Sequence, residues 1–489
     1  MQIKKILTNN LYCKLFFVLI PFLNEIPLLM AYVNPLMKFG ILMCAVYLLA
    51  DILTERQTLW MPFITAAVIF LFAGLISCVL NIRATQRSMN IISFLYNFCT
   101  LIVLFPVSKN KSEQQIQREF ELINLLLLVM TTICASIGLY LFFSKTQIKL
   151  EYNDYVYRMG HNDGRLVGLM RNAIYPTHAI GIFCGIVQLS INALKDRRNK
   201  LIAAVVVFSV VINLIALVLQ QSKGLNIGMF VAVFFITLAI VYRHKFRSKM
   251  LQNPSALART TVAASSATAA FGLFYALEQG IFWLSKRIMA LIAIAKRPTR
   301  PNVNSPALNQ IIQGAVDFVG RNEVSGKYGA MTGRPYVWKS GLSWFLKKPI
   351  FGYGSHTLAN DVKPYEGSKE QLTHFHNIFV QALVSYGIIG FIGLLLMVIQ
   401  CAARILRKIF TADLDEKLGV LISASGLIVF LFVINMADTT ILFMMKHSGF
   451  VFFIYLGYVI HWCGGKDSVL DKPFRLLADW LDRKVHHAK

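Results

Sequence analysis

Acidic side chains are scarce in this sequence. Of 489 residues, 24 are Asp or Glu against 49 Lys or Arg, and charged residues of both signs make up only 15%. Several familiar constellations are also missing. The eight cysteines (13, 44, 78, 99, 134, 184, 401 and 463) show no CxxC spacing and lie in or at the ends of apolar runs, which argues against a zinc or disulfide framework and for small core residues. There is no glycine-rich nucleotide motif, no nucleophile elbow, no HExxH or DxD spacing and no internal repeat. The formal charge of +25 comes with no nucleic-acid motif, so no nucleic-acid partner is expected. Basic cytoplasmic loops and contacts to anionic lipid headgroups account for it more simply.

What the chain has in abundance is apolar sequence, 56% of residues, arranged in repeated runs of about twenty. Runs of that length cross a bilayer as helices, whereas a membrane barrel would alternate apolar and polar residues in short segments. The expected fold is therefore an all-α polytopic membrane protein with about twelve transmembrane helices. They fall near 11–31, 38–53, 60–80, 89–107, 120–143, 172–194, 200–220, 225–243, 260–283, 376–400, 417–437 and 444–463. Lys4 and Lys5 precede the first run without a small-residue cleavage site, which reads as a span rather than a removable signal.

Basic clusters follow the fourth, sixth, eighth and tenth runs, and Lys4–Lys5 falls on the same side. The positive-inside rule makes that side cytoplasmic, with both termini there. The expected organisation is then spans one to nine over 1–283, a large outer loop over 284–375, spans ten to twelve over 376–463, and a cytoplasmic amphipathic tail over 464–489. Within the loop, 304–320 has a helix start at Asn304, Ser305 and Pro306 and apolar residues at helical spacing. A second piece places Trp338, Leu342 and Phe345 on one side, and both pieces could lie on the outer leaflet. The tail places Phe474, Leu477, Trp480 and Leu481 toward lipid.

Against this pattern, the cations on the outer side stand out. Arg83 and Arg87 occupy the loop between spans three and four, and Arg158, Arg165 and Arg171 the segment before span six. Lys223 lies between spans seven and eight, and Arg334 in the large loop. Such cations suit a multiply charged anion such as a pyrophosphate, since the arginine fork binds two oxygens at once. Snorkelling contacts to headgroups are the alternative for any one of them. At the mouth of span ten stand His374 and His376, followed by Asn377, which opens the span. A neutral imidazole acts as a base near neutral pH. His376 is the better candidate, because His374 would point elsewhere on a helix. A metal is a rival use for these histidines, with Asp361, Glu366 and Glu370 nearby but no metal-type spacing, and no metal is expected. Asp438 faces the same side, as a partner for an arginine or as a loop cap.

These residues resemble the bacterial O-antigen ligase and polymerase superfamily. The shared elements are Ser222-Lys223-Gly224, Gly333-Arg334 with Trp338, Pro349 with Gly352 and Gly354, His376-Asn377, and Tyr386-Gly387 with Gly390, across roughly residues 160–400. Lys223 departs from the family, where an arginine is common, and loses the fork. The resemblance implies a C-type, metal-independent inverting glycosyltransferase in the bacterial inner membrane, with its active site facing the periplasm and no cofactor. The implied donor is a glycan on undecaprenyl pyrophosphate, and the acceptor a sugar hydroxyl of lipid A–core in lipopolysaccharide biosynthesis. It also implies roles for residues. Arg165, Lys223 and Arg334, with Arg83 and Arg87 as further candidates, would stabilise the leaving pyrophosphate, and His376 would deprotonate the acceptor, with His374, Asn377 and Trp338 as accessories.

An O-antigen polymerase using the same donor is the alternative within the superfamily, followed by a protein O-oligosaccharyltransferase. A lipid-linked glycan flippase is the alternative from another class. It would be expected to show charge along a central cavity and repeat symmetry, and here the charges gather at the outer face.

Overall fold

The structure is a computed structural model describing residues 9–54, 57–108, 110–152, 155–162, 164–171, 175–195, 199–244, 256–295, 313–314, 317–318, 334–358, 373–411, 417–464 and 469–476. Its helices are α1 (Leu11–Asn24), α2 (Pro27–Thr54), α3 (Ile64–Leu80), α4 (Arg87–Cys99), α5 (Glu113–Phe143), α6 (Thr177–Ala193) and α7 (Lys200–Gln220). They continue as α8 (Lys223–His244), α9 (Ala256–Ala295), α10 (Arg334–Lys347), α11 (Ile378–Thr411), α12 (Leu418–Ile434) and α13 (His447–Cys463). Among the described residues, six segments are long and apolar enough to cross a membrane, including α2, α5, α7, α8 and α11, and five further apolar helices are shorter. The chain is thus a multi-pass helical membrane protein. All eight cysteines are buried and free, as small core residues.

Local chemistry sets several helix boundaries. Ser112 and Gln115 form a reciprocal capping box that starts α5, and Asn199 caps α7 through the Ile202 amide. The first two runs divide earlier than expected. Apolar length placed a break at 31–38, but it falls between Asn24 and Pro27. Proline is pre-set for a first helical turn, where its missing N–H costs nothing, and Pro35 is carried inside α2. Helix α9 runs past 283 as far as Ala295.

One element was not anticipated. Strands β1 (Ile148–Tyr152), β2 (Tyr155–Asn162) and β3 (Arg165–Gly168) form an antiparallel sheet before α6. Its signals are modest: a run of Tyr and Val, and Asp163-Gly164 between two strands, a pair that favours tight hairpins. Phe318, from the segment expected to be helical over 304–320, stacks on Phe142 and on the His161 ring at 4.8 Å. Residues 313–314 and 317–318 of that segment are helical and the rest of it lies outside the described residues, as do most of the 464–489 tail and Asp361, Glu366 and Glu370.

Helix α11 packs chiefly on α3, whereas α12 packs on α8 and α6. Gly228 of α8 lies directly against Ile434, bringing the start of α8 beside the end of α12. The amphipathic helix α10 buries Val337 and Gly341 against Phe375 and Val380 of the segment entering α11. Leu342, on the face expected to meet the outer leaflet, is 46% exposed.

Candidate functional site

The site is built where α11 begins. Asn377 caps the helix, its Oδ1 accepting from the amides of Phe379 and Val380, and its Nδ2 donating to Met436 O at 3.0 Å. His374 and His376 therefore precede the helix, and the helical argument that separated them does not apply. His376 has φ 51°, the left-handed region that a non-glycine residue rarely enters. The chain turns there, and the two rings come together with centroids 4.1 Å apart.

Both face Asp438, in the connection from α12 to α13. His374 Nε2 lies 2.7 Å from Asp438 Oδ1, and His376 Nδ1 lies 3.4 Å from the same oxygen without a formed hydrogen bond. The two segments are stitched together by backbone and amide contacts. Ile378 N–H donates to Asn435 O, and buried Asn435 Oδ1 accepts from the amides of Thr440 and Ile441. Burial works against charge on Asp438, but the two histidines and Lys446 outweigh it and hold the carboxyl well below its ordinary value. A carboxylate only accepts, so His374 carries its proton on Nε2 and leaves Nδ1 to Thr373 Oγ1 at 3.0 Å. Burial lowers the pKa of His374, and Asp438 partly offsets this. Both its nitrogens are occupied. His376 Nε2, by contrast, has no hydrogen bond among the described residues.

The glycine motifs form the frame. α11 is broken at Gly387, with φ 66°, and a Cβ there would lie 2.1 Å from Ile350 O. Into this break fits the turn 349–354. Ile388 N–H donates to Pro349 O, Tyr353 N–H to Val384 O and Gly354 N–H to Ser385 O. Tyr386, fully buried, accepts from Asn97 Nδ2 of α4 at 3.1 Å. The motif residues thus pin the top of α11 to α3 and α4, and that holds the histidines.

The expected cations divide into three groups. Arg334 starts α10 and lies within electrostatic reach of Asp438; burial lowers its pKa and Asp438 partly offsets this. Arg165 and Lys223 share the α7–α8 corner, where Arg165 Nε donates to Gln220 O at 2.8 Å and Lys223 is exposed at the start of α8. Arg83 and Arg87 are exposed beside the α3–α4 turn, and no side-chain contact joins them to the histidines among the described residues. Trp338 lies on α10 with its Nε1 buried and unpartnered. Sequence reasoning missed Lys446, which follows a strained turn with φ 70° at Phe443 and 52° at Met445. It counted Arg171 among the outer cations but did not assign it to the leaving pyrophosphate; here the Arg171 side chain donates to Asn24 O. No local spacing links either residue to the histidines.

Two spaces adjoin the cluster. An apolar cavity of about 270 Å³ runs between α11 and α12, from Ile378 and Ile441 at the histidine end, past Met397 and Phe432, to Leu406. On another side, a cavity of about 670 Å³ lies among α1, α2, α4 and Met444–Lys446, with Arg171 and Tyr175 on its wall. His374, His376 and Asp438 offer two imidazoles and a carboxylate within 4.8 Å of one another, a set that could hold a metal ion. This acid is not one of the three considered from sequence.

Part of the chain is similar to known proteins. Residues 208–395 match a family model described as O-antigen ligase. A stretch of 131 residues is 29% identical to an exopolysaccharide production protein, ExoQ, of Rhizobium meliloti, covering 25% of this chain and 29% of that protein. Another of 184 residues is 26% identical to an uncharacterized protein of Haemophilus influenzae, covering 34% and 43%. The chain thus spans less than half the length of these curated relatives.

Proposed function

From the premise that this multi-pass membrane protein belongs to the O-antigen ligase/polymerase superfamily, we propose that it is an O-antigen ligase, an inverting glycosyltransferase of the bacterial inner membrane. It moves a glycan from undecaprenyl pyrophosphate to a sugar hydroxyl of lipid A–core at the periplasmic face. The observation that carries this reading is His376, oriented toward Asp438 through Nδ1 and open at Nε2, at the head of an apolar groove.

In this mechanism, His376 Nε2 takes the proton of the acceptor hydroxyl as its oxygen attacks the anomeric carbon. The new C–O bond forms as the bond to pyrophosphate breaks, and the leaving group carries away the electron pair. One displacement inverts the anomeric centre. Asp438 steadies the imidazolium as it forms, by the logic of a base oriented through a third group. Negative charge grows on the pyrophosphate, and Arg334, Arg165 and Lys223 stabilise it there. Arg334 is electrostatically coupled to Asp438. The groove is lined by apolar side chains from Ile378 to Leu406, which suits part of a prenyl chain.

A second reading, polymerase, draws on the relative named for exopolysaccharide production. A reconstituted assay separates the two. Lipid A–core and undecaprenyl-pyrophosphate glycan are offered to wild type and His376→Ala with EDTA. Glycan on lipid A–core with wild type only supports the ligase. Glycan lengthening on its own carrier supports the polymerase. No covalent product under any condition rejects transfer and favours transport.

A further inference from the structure

The larger cavity has no part in the chemistry described so far, yet it adjoins it. Lys446 and Tyr175 line it, and both are electrostatically coupled to Asp438. Its walls mix surfaces suited to sugars: the rings of Tyr96, Tyr152 and Tyr175 and the amides of Asn24 and Asn34. Three cations reach it, Arg171, Lys446 and Lys38, against the one carboxyl of Glu25.

These groups are incompletely satisfied. Asn24 Oδ1 and Arg171 Nε are buried without a hydrogen-bond partner, which is costly unless a ligand completes them. The Lys446 ammonium lies 5.2 Å from the centre of the Tyr175 ring and makes no hydrogen bond or ion pair among the described residues. Glu25 accepts from the His447 amide at 3.1 Å, and burial pushes its carboxyl up to about 7, so near neutrality it is about half ionised and offsets only part of the charge of the three cations.

Resting on the transferase reading, we propose that this cavity holds the acceptor, and that it selects an acceptor whose sugar region bears negative charge, as phosphate or carboxylate. The donor chain occupies the α11–α12 groove, so the two lipids reach His376 from different sides. The acceptor's anionic group lies against Arg171 and Lys446, with an uncharged hydroxyl presented past Lys446 toward His376.

The test uses the full-length protein in nanodiscs, with lipid A–core and undecaprenyl pyrophosphate as separate binding probes. The variants are the double substitution Lys446→Gln, Arg171→Gln, and Ala31→Trp, which fills the cavity from an exposed position on its α2 wall. Lipid A–core should bind at least about tenfold more weakly to both variants, the loss typical of charged hydrogen bonds, with undecaprenyl pyrophosphate binding unchanged. Removing the phosphates of lipid A–core should weaken wild-type binding to a similar extent. If the double variant unfolds, Ala31→Trp carries the test by itself. Loss of undecaprenyl pyrophosphate binding with lipid A–core retained makes this a donor site and overturns the proposal, as does full retention of both probes. Wild-type protein that binds neither probe overturns the transferase reading, and this proposal with it.

Discussion

His374 donates through Nε2 to Asp438 Oδ1 at 2.7 Å across 64 residues of sequence. That bond fixes the carboxylate, and the carboxylate in turn faces Nδ1 of His376. Asp438→Asn keeps the size of the side chain and removes its charge. It should lower kcat by about 10²-fold or more while leaving donor affinity close to wild type. Steady-state kinetics with varied donor check this, and an unchanged kcat would remove Asp438 from the mechanism.

The break in α11 gives a stability prediction. Ala at 387 would have to adopt a left-handed backbone and would press on Ile350 O. Gly387→Ala should cost at least about 1–3 kcal/mol, seen as a lowered unfolding temperature in detergent. A variant as stable as wild type would show that the turn 349–354 is not held in the break.

Filling the groove should act on the donor alone. Ala402 lines it from α11 and is exposed, so a larger side chain there leaves the core intact. Ala402→Trp should raise the KM for an undecaprenyl donor several-fold and spare a short-chain prenyl donor. Equal effects on both donors would place the chain elsewhere.

Burial lowers the pKa of both His356 and His374 below the ordinary imidazole value. The folded protein therefore binds fewer protons than the unfolded chain just below about pH 6.5. Their contribution is complete above that pH and is lost as pH falls through the window beneath it. His356→Gln should flatten the acid side of a melting-temperature profile relative to wild type. A profile of unchanged slope would mean that His356 does not titrate differently on folding.

The two imidazoles and carboxylate also make metal dependence directly measurable. The proposed mechanism uses His374 as a hydrogen-bond donor to Asp438, which a bound ion would displace. Transfer should survive EDTA, and purified protein should carry less than one equivalent of transition metal by elemental analysis. Loss of activity in EDTA, restored by one added metal, would replace the proton-transfer mechanism with a metal-assisted one.

Much of this architecture is legible in the sequence because its causes are local or periodic. Apolar run length locates the helices, and His376-Asn377 marks the start of α11 because Asn is a cap. Asp438 was visible but ambiguous, since its partners lie far upstream and only the docking of two loops brings them together. Lys446 and the sheet over 148–168 carried weaker signals still. The error over His374 came from extending the helix back over residues that precede its start at Ile378. The left-handed conformation of His376 puts both rings on one side, and nothing in the residue type announces it.

The frame at Gly387 draws on α3 and α4, the base on the start of α11, and the orienting acid on the connection between α12 and α13. During synthesis these parts leave the ribosome in that order. A nascent chain can therefore expose His376 while Asp438 has yet to be made, and the groove wall at Ile441, Phe452 and Leu456 comes later still. On the proposed mechanism, the base, its orienting acid and a complete groove come together only as the final helix pair docks.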